Sequence, residues 1–379
     1  MRKLRLQLAV RSLEVAGAER QFLELAKAID LRRFDVTVVM LRPGPLDTEL
    51  TPIAVKVVYL GNGGWRDPRT YLRWSALIAA ERPDVIYSFL FDMNVGAALA
   101  RSISGVKLKL VWGIFGSEPD FRKGPRFLRG LFALLKLLES RADLITSDSY
   151  RGLEFLAKYG FRLRNSVVIH SGTDMHRFRR DEASRESFRQ QYRLGKETRA
   201  IGICSRLVHM KGYPVLAAAA GRILKERDDV YFFAAGLGDE SIIAESNRIL
   251  GDIGQRFVWL GRVMKPEACL SGWDIYCSSS IYGEGFSNAI VEAMACELPC
   301  VVTDVGDARR QVGETGIVVS PNSEEALYDG LVAMLARKDL KECGAKARER
   351  AVQNFTNSRM VKRTETALEE VAWETSSWH

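Results

Sequence analysis

The sequence has no apolar run close to the roughly 20 residues that a membrane-spanning helix requires. Its basic start, Met1–Arg5, is followed by the short apolar segment Leu6–Val10, which predicts a first β-strand and not a secretion signal. Histidine is also scarce, with four residues among 379. We therefore expect neither a membrane span nor a cleaved leader.

Cysteine is confined to the second half of the chain. The six residues lie mostly within apolar segments, at positions 204, 269, 277, 296, 300 and 343. Cys296 and Cys300 alone do not make a metal quartet, and four histidines add little to them. This pattern predicts buried, reduced thiols in a cytosolic enzyme.

The chain is too long for one ordinary domain, and its 47% apolar content is enough for two cores. Helical segments such as Glu19–Ile29 and Arg69–Ala80 alternate with strands, which predicts parallel sheets with right-handed crossovers. The polar stretch 174–199 contains the domain boundary, and a second sheet begins at Ala200. The strands predicted for the first half are Leu4–Val10, Asp35–Leu41, Ala54–Tyr59, Val85–Ser88, Leu108–Trp112, Leu144–Ser147 and Val167–Ile169.

The most informative motif runs from Glu284 to Glu292, with a Gly-Phe-Ser-Asn turn after the first glutamate. Ser287 or Asn288 can cap the helix that follows, and the free amides of its first turn suit a phosphate. Glu292 would then grip hydroxyls beside that phosphate, and Glu284 would reach toward the group that the phosphate carries. The alternative is an acidic loop followed by an ordinary capped helix.

A second motif follows the apolar run 200–204, where Arg206 and Lys211 enter a loop before a helix. Ligands bind at the carboxyl ends of strands in open α/β sheets, and these two cations could hold a diphosphate there. A solvated basic turn is the alternative. Two later strands end in glycine, at Gly236-Leu237-Gly238 and Gly261-Arg262-Val263, where a backbone can approach a ligand closely.

Charge divides the chain unevenly. Residues 1–180 contain 30 Lys and Arg against 18 Asp and Glu, a balance of +12, whereas the remainder is −4 within a total of +8. No acid interrupts residues 121–138, which mix Phe and Leu with Arg and Lys as interfacial helices do. This run predicts docking on an anionic membrane, and a core helix with a basic outer face is the alternative. No nucleic-acid-binding motif accompanies the basic residues.

In their order along the chain, the motifs resemble those of family-4 retaining glycosyltransferases. The resemblance implies an α/β protein of the GT-B fold: two Rossmann-like, doubly wound parallel-sheet domains, 1–178 and 179–379, facing each other across a cleft. It also implies that a last helix, about 357–373, returns to the first domain. The matching pieces are Gly17-Ala18-Glu19-Arg20, residues 168–174, Arg206 with Lys211, Gly236-x-Gly238, Gly261-Arg262-Val263, residues 284–292, Pro299–Asp304 and Gly313–Gly316.

The chain departs from the family at two places. Many members have a histidine after the fourth strand, where this chain has residues 111–118 with no histidine. The Asn-Gly that most members have at mid-chain is here Ser171-Gly172. The first departure concerns the acceptor side of the reaction, and the second is a turn substitution.

The resemblance implies transfer of a sugar from a nucleotide-diphosphate donor with retention of anomeric configuration. Arg206, Lys211 and Glu284 would be the catalytic residues, the two cations neutralising the departing diphosphate. The leaving phosphate would take the acceptor's proton, and neither metal nor cofactor is required. The donor would be bound by Gly17, Gly236, Gly238, Val263, Gly285, Phe286, Ser287, Asn288 and Glu292. The acceptor-side candidates are Asp92, Asn94, Trp112, Ser117 and Glu118.

The expected partners are a nucleotide sugar and a saccharide or polyprenyl-linked acceptor of the bacterial envelope, with no nucleic acid. The expected location is the cytoplasm, peripherally on the inner face of the plasma membrane. Two other functions stay open: a sugar-nucleotide 2-epimerase of the same fold, which turns over donor without an acceptor, and a non-catalytic sugar-nucleotide-binding protein. A phosphorylase is excluded, because it is much longer and needs a lysine-linked cofactor.

Overall fold

The computed structural model describes residues 2–14, 16–53, 55–61, 67–115 and 126–373. Within these ranges strands alternate with helices along the chain. The strands are β1 Leu4–Val10, β2 Phe34–Met40, β3 Lys56–Tyr59, β4 Val85–Phe89, β5 Lys109–Ile114, β6 Leu144–Ser147, β7 Ser166–Val168, β8 Arg199–Cys204, β9 Val230–Ala235, β10 Phe257–Gly261, β11 Ile275–Ser278, β12 Cys300–Thr303 and β13 Ile317–Val319. The helices are α1 Gly17–Ala28, α2 Pro68–Glu81, α3 Phe91–Ser104, α4 Arg126–Leu137, α5 Tyr150–Lys158, α6 Glu182–Gln191, α7 Tyr213–Glu226, α8 Glu240–Leu250, α9 Pro266–Gly272, α10 Asn288–Ala295, α11 Ala308–Val312, α12 Glu324–Leu335, α13 Leu340–Asn354 and α14 Asn357–Trp373.

The described strands form two parallel sheets with the same winding. The first has the order β3-β2-β1-β4-β5-β6-β7 and the second β10-β9-β8-β11-β12-β13. Strand order reverses between β1 and β4 in the first sheet and between β8 and β11 in the second. These two doubly wound sheets confirm the predicted α/β architecture. In such sheets ligands bind beyond the carboxyl ends of the strands at the reversal, which we call the switch point.

Each sheet carries an apolar cluster on both faces. In β1, Leu6 and Leu8 belong to one cluster and Ala9 to the other. In β8, Ile203 and Ala200 are divided in the same way. Successive side chains of a strand point to opposite faces, so a strand covered on both sides is apolar almost throughout. The uninterrupted apolar runs in the sequence have this cause.

Gly202 in the middle of β8 shows how closely the second sheet is packed. A Cβ at this position would lie 2.0 Å from the indole of Trp273, which is fully buried. Only glycine leaves room for the indole against the strand.

The chain forms two compact units. Unit 1 contains the described residues up to Gly172 together with those from Asn357 onward, and unit 2 is Thr173–Thr356. The boundary predicted at residue 178 lies inside unit 2, because the backbone N–H of Thr173 donates to Phe355 O at 2.8 Å and Phe178 packs in that unit's core.

The last helix, α14, packs within unit 1. Met360 and Leu368 join the apolar cluster that contains α1 and β1. Glu365 accepts a hydrogen bond from the backbone N–H of Asp30 at 2.8 Å and pairs with Arg33 at 2.9 Å. This helix therefore completes the core of unit 1, although it follows unit 2 in the chain.

Candidate functional site

At the switch point of unit 2, the structure brings together two residues that the sequence predicts to be catalytic. Lys211 lies in the loop after β8 and Glu284 in the loop after β11, and the Lys211 ammonium donates to Glu284 Oε1. Their side chains are largely buried, at 15% and 12% exposure. Ser280 Oγ donates to the same carboxylate oxygen at 2.7 Å. A buried, charge-assisted contact thus joins the two loops.

The loop that carries Lys211 is held against the end of β11. A short turn, His209–Lys211, leads into Gly212. Gly212 has a φ of +64° and occupies the N-cap position of α7. A Cβ on Gly212 would lie 2.1 Å from Ser279 O, and Ser279 Oγ donates to Lys211 O at 2.8 Å. Close backbone packing therefore fixes where the lysine side chain starts.

Arg206, the other predicted cation, is exposed, and within the described ranges no carboxylate pairs with it. Its neighbours pack on the loop after β9. A Cβ on Gly236 would lie 1.8 Å from Ser205 O, and one on Gly238 would lie 2.1 Å from Leu207 O. This packing alone requires both glycines. Their role in donor binding stays a prediction.

The turn before α10 is closed differently from the prediction. Ser287 occupies the N-cap position, but its side chain makes no capping hydrogen bond, and Asn288 Oδ1 is buried without a partner. Instead Gln311 brackets the turn: Ser287 N–H donates to Gln311 Oε1 at 3.2 Å, and Gln311 Nε2 donates to Ser287 O at 2.9 Å. The predicted side-chain cap is therefore wrong. The Ser287 amide is engaged inside the protein, and Gln311 is a site residue that sequence reasoning missed.

Glu292 lies on the second turn of α10. Burial raises the pKa of the Cys204 thiol to about 12, and the negative charge of Glu292 is the next cause. The carboxylate is therefore within electrostatic reach of the end of β8. Gly285 and Phe286 are buried between these acids, and the Phe286 ring packs edge-on against Phe355.

Two exposed apolar side chains lie beyond β9 and β10, the strands on the β8 side of the switch point of unit 2. Leu237 follows Gly236 at the end of β9 and is 55% exposed, and Met264 lies beyond β10 with 74% exposed. The predicted donor residue Val263 is half-buried and packs against the core. Sequence reasoning missed Leu237 and Met264, although their place after strands that end in glycine is a usable signal.

The switch point of unit 1 holds a second ion pair. Arg11 follows β1, Asp92 follows β4, and Arg11 Nε donates to Asp92 Oδ2 at 2.5 Å. Asp92 is 2% exposed, and its Oδ1 has no hydrogen-bond partner. The pair lies at a cavity of about 320 Å³ with mostly apolar walls. The lining residues are Arg11, Leu90, Phe91, Asp92, Phe115, Phe127, Leu128 and Leu131.

Two further features mark this cavity as a candidate binding site. Leu90 has a φ of +75°, a conformation that is strained for any residue except glycine and that concentrates at functional sites. Burial raises the pKa of the Glu19 carboxyl, and Arg11 opposes that shift. Glu19 and the exposed Gly17 lie in the first turn of α1, so the motif of residues 17–20 and the Arg11–Asp92 pair share one electrostatic environment.

Two other predicted acceptor-side residues, Asn94 and Trp112, are buried. Asn94 has no exposed area; its Oδ1 accepts from Ser88 Oγ at 2.7 Å and its Nδ2 donates to Gly113 O at 3.2 Å. Trp112 is fully buried in the core of unit 1. Neither side chain can contact an acceptor in this structure. Ser117 and Glu118 lie outside the described residues.

Only part of the predicted membrane-docking run is accessible. Residues 121–125 lie outside the described ranges, and the rest forms α4. Leu131 and Phe132 are 6% exposed and pack in the core, whereas Phe127 is 41% and Leu137 76% exposed. Leu131 and Phe132 of the run are therefore not available to a membrane surface. No helix in the described ranges is both long and apolar enough to cross a membrane.

All six cysteines carry free thiols, and four of them are buried, as the sequence predicted. Burial raises the pKa of the Cys277 thiol to about 12, which keeps it protonated at neutral pH. In the described part of the chain, no three His, Cys, Asp or Glu side chains are grouped so as to hold a metal ion.

Two protein families match the chain, one for each half. Residues 15–177 match the family described as Glycosyltransferase Family 4, and residues 198–337 match the one described as Glycosyl transferases group 1. Together these matches include every motif described above.

Curated relatives are similar over part of their length. A phosphatidyl-myo-inositol mannosyltransferase of Mycobacterium leprae is 32% identical over 184 residues, 48% of each chain. An N-acetylgalactosamine-N,N'-diacetylbacillosaminyl-diphospho-undecaprenol 4-alpha-N-acetylgalactosaminyltransferase of Campylobacter jejuni is 25% identical over 215 residues, 55% of each chain. The chain thus spans about half the length of these two relatives.

Solved structures match almost the whole chain. Anabaena Alr3699/HepE, crystallised with UDP and glucose, superposes with a TM-score of 0.83 at 20% identity, covering 97% of this chain and all of the other. Sucrose-phosphate synthase of Thermosynechococcus elongatus has a TM-score of 0.80 at 17% identity, covering 99% of this chain and all of the other. These likenesses establish the fold, which is GT-B.

Proposed function

The chain belongs to the family-4 glycosyltransferases, and on that premise we propose that it transfers a sugar from a nucleoside-diphosphate donor to a saccharide or lipid-linked saccharide acceptor. The donor binds at the switch point of unit 2. The acceptor binds at the switch point of unit 1. Transfer proceeds with retention of anomeric configuration and without a metal ion.

The Lys211–Glu284 pair is the observation that carries this proposal. It joins residues 73 positions apart at the place where an open α/β sheet binds ligands. In the absence of donor, each charge compensates the other in a largely buried position. When the donor binds, its diphosphate takes over Lys211, and Glu284 accepts hydrogen bonds from the sugar hydroxyls. The exposed Arg206 supplies a planar fork for the same diphosphate.

The rest of the donor is bound by neighbouring groups. Glu292 holds the ribose hydroxyls, and the unpartnered Asn288 Oδ1 accepts a further hydrogen bond. The backbone from Gly285 to Asn288 contributes donors other than the Ser287 amide, which Gln311 occupies. Leu237 and Met264 supply the apolar surface that a nucleobase needs. That surface explains why two large apolar side chains stay exposed beside charged loops.

In the proposed mechanism, catalysis is mainly electrostatic. Negative charge develops on the departing diphosphate, and Arg206 and Lys211 stabilise it in the transition state. The acceptor hydroxyl attacks from the same face, and a phosphate oxygen takes its proton. No carboxylate acts as a nucleophile, in contrast to retaining glycosidases.

The acceptor site follows from the walls of the unit 1 cavity. Its apolar residues suit a hydrocarbon or a sugar face, Arg11 can bind a phosphate, and Asp92 Oδ1 can accept from a hydroxyl. These features fit a lipid-linked saccharide. The Campylobacter jejuni relative is named for a diphospho-undecaprenol acceptor, which supports that choice. Such an acceptor also places the reaction at the cytoplasmic face of a membrane.

A panel of nucleotide sugars tests the proposal. A ligand that binds only the folded state raises its melting temperature, so one or a few members of the panel should stabilise the protein. The nucleotide sugar that stabilises the protein is then supplied with a polyprenyl-diphosphate saccharide, with and without EDTA, and the products are identified. In both cases we expect a glycoside that keeps the anomeric configuration of the donor. Epimerised donor without acceptor would identify a 2-epimerase, and donor binding without turnover would identify a binding protein.

A further inference from the structure

A second, larger cavity lies at the other end of the unit 1 sheet. Its volume is about 640 Å³, and it is formed by the last turn of α4, the turn after it and the segment that joins α5 to β7. This segment enters the sheet at the amino end of β7, whereas the Arg11–Asp92 cavity lies at carboxyl ends. The proposed transfer reaction has no use for it.

The charges around this cavity are mostly positive. Lys136, Arg162 and Arg164 line it, and all three are exposed. None of them has a carboxylate partner in the part of the chain that the structure describes. The one acid in the lining, Glu139, accepts at Oε1 from the backbone N–H of Arg162 at 2.6 Å and of Leu163 at 2.8 Å. Three cations therefore face one carboxylate that is already engaged.

The cations are held by a constrained segment. Besides the two bonds to Glu139, Asn165 Nδ2 donates to Asp143 O at 3.2 Å. Leu163 packs against the apolar cluster of unit 1, so Arg162 and Arg164 flank an anchored side chain. A Cβ on Gly160 would lie 2.8 Å from Lys136 Nζ, which places the ammonium directly over that glycine. The site is thus largely formed before any ligand arrives.

We propose that this cavity binds the phosphate headgroup of an anionic membrane lipid and thereby docks unit 1 on the bilayer. Two arginine forks and a lysine are the groups that recognise phosphate oxygens. The exposed side chain of Leu137 favours a phosphate on a membrane lipid over a free phosphate in solution, because it lies 76% exposed next to Lys136. Arg129, Ala133 and Leu137 are exposed at a spacing of four residues and so share one face of α4.

The inference rests on the proposed function only in its choice of a membrane, which a lipid-linked acceptor requires. It places the docking surface at the end of α4 and the segment 160–165, and not along the whole run 121–138. Binding should be reversible and sensitive to salt, because exposed charges are screened beyond about 8 Å at physiological ionic strength.

Co-sedimentation with vesicles tests the site. The full chain is incubated with phosphatidylcholine vesicles, with and without phosphatidylglycerol. Each basic residue near an anionic surface raises the partition constant about fivefold. The variant Lys136→Glu, Arg162→Glu, Arg164→Glu should therefore bind anionic vesicles on the order of 100-fold more weakly than the wild type.

The matched control is Lys107→Glu, Lys225→Glu, Arg248→Glu, which makes the same change in net charge at exposed residues away from the cavity. We expect its binding to anionic vesicles to weaken only a few-fold, on the order of the contribution of one basic residue. The milder variant Lys136→Gln, Arg162→Gln, Arg164→Gln removes the three charges with less risk of misfolding. Circular dichroism and thermal stabilisation by the donor check that each variant is folded. Equal losses in cavity and control variants, or no wild-type preference for anionic vesicles, would overturn the proposal. Vesicle binding needs no turnover, so it can succeed even if the proposed transferase activity fails.

Discussion

The two units have the same strand winding but very different switch points. In unit 2, a lysine–glutamate pair and an exposed arginine lie beyond β8 and β11, and the exposed Leu237 and Met264 follow β9 and β10. In unit 1, one arginine–aspartate pair lies beyond β1 and β4, at a cavity walled by aromatic and aliphatic side chains. The sheets position both sites, and the loops decide what each one binds.

The difference indicates a division of labour. Two cations at the ends of strands suit a highly charged group such as a diphosphate, and the two exposed apolar side chains suit a nucleobase. A mainly apolar cavity with one charged pair suits an amphipathic molecule. The same comparison explains the charge asymmetry of the chain: the donor site lies in the acidic part and needs local cations, whereas the surplus of basic residues lies in the unit that we propose to dock on a membrane.

The largest expected effect concerns the cations of unit 2. Replacing Lys211 or Arg206 with Ala should lower turnover by about 100-fold or more, because each stabilises charge that develops in the transition state. Steady-state kinetics with the identified donor measures it. Lys225→Ala, an exposed lysine on α7, is the control. Near-normal turnover in both site variants would remove the diphosphate assignment.

The next effect should separate the two switch points. Asp92→Asn should lower transfer to the acceptor about tenfold to 100-fold, the range expected for losing a hydrogen bond to a charged group. Slow hydrolysis of the donor should not change, because the donor site lies in unit 2. Asp35→Asn, an exposed acid in the same unit, is the control. A parallel loss of hydrolysis and transfer would show that Asp92 does not act on the acceptor side.

A smaller effect distinguishes the two glutamates of unit 2. Glu292→Ala should weaken binding of the free nucleoside diphosphate about tenfold, because its proposed partner is the ribose. Glu284→Ala should leave that affinity equal or tighter, since it releases Lys211, and should reduce transfer. Calorimetric titration of both variants measures the two affinities. The opposite pattern would mean that the two roles are exchanged.

The smallest effect is on stability. Gly236→Ala should destabilise unit 2 by about 1–3 kcal/mol, the usual cost of overpacking, because its Cβ would overlap Ser205 O. Gly130→Ala in α4 of unit 1 meets open space and should be neutral or stabilising by up to about 1 kcal/mol. Thermal denaturation compares them. Equal melting temperatures would mean that Gly236 is present for the ligand and not for packing.

Much of the fold could be predicted because buried parallel strands leave continuous apolar runs. The prediction Asp35–Leu41 differs from the observed β2 by one residue at each end, and Leu4–Val10 matches β1. Arg206, Lys211 and Glu284, for which we propose catalytic roles, could be named because each follows such a run. The contact between Lys211 and Glu284 has no signal in the sequence and comes from the structure.

The rest depended on contacts between distant residues. The partner of Asp92 is Arg11, 81 positions earlier, and Gln311 closes the Ser287 turn from 24 positions later. Neither pairing has a local sequence signal. Asn94 and Trp112 are candidates on the acceptor side only through the resemblance to the family. In the structure both are fully buried in unit 1, and the sequence near a strand end does not reveal which side chains stay accessible.

The central claim is that the switch point of unit 2 binds a nucleoside-diphosphate sugar through Lys211. The most direct test is calorimetric titration of the full chain with the nucleoside diphosphate of the stabilising donor, comparing wild type, Lys211→Ala and the control Lys225→Ala. We predict saturable binding by wild type and control, and at least about tenfold weaker binding by Lys211→Ala, because a charge-assisted contact is lost. Equal affinities in all three proteins, or no binding by wild type, would contradict the account.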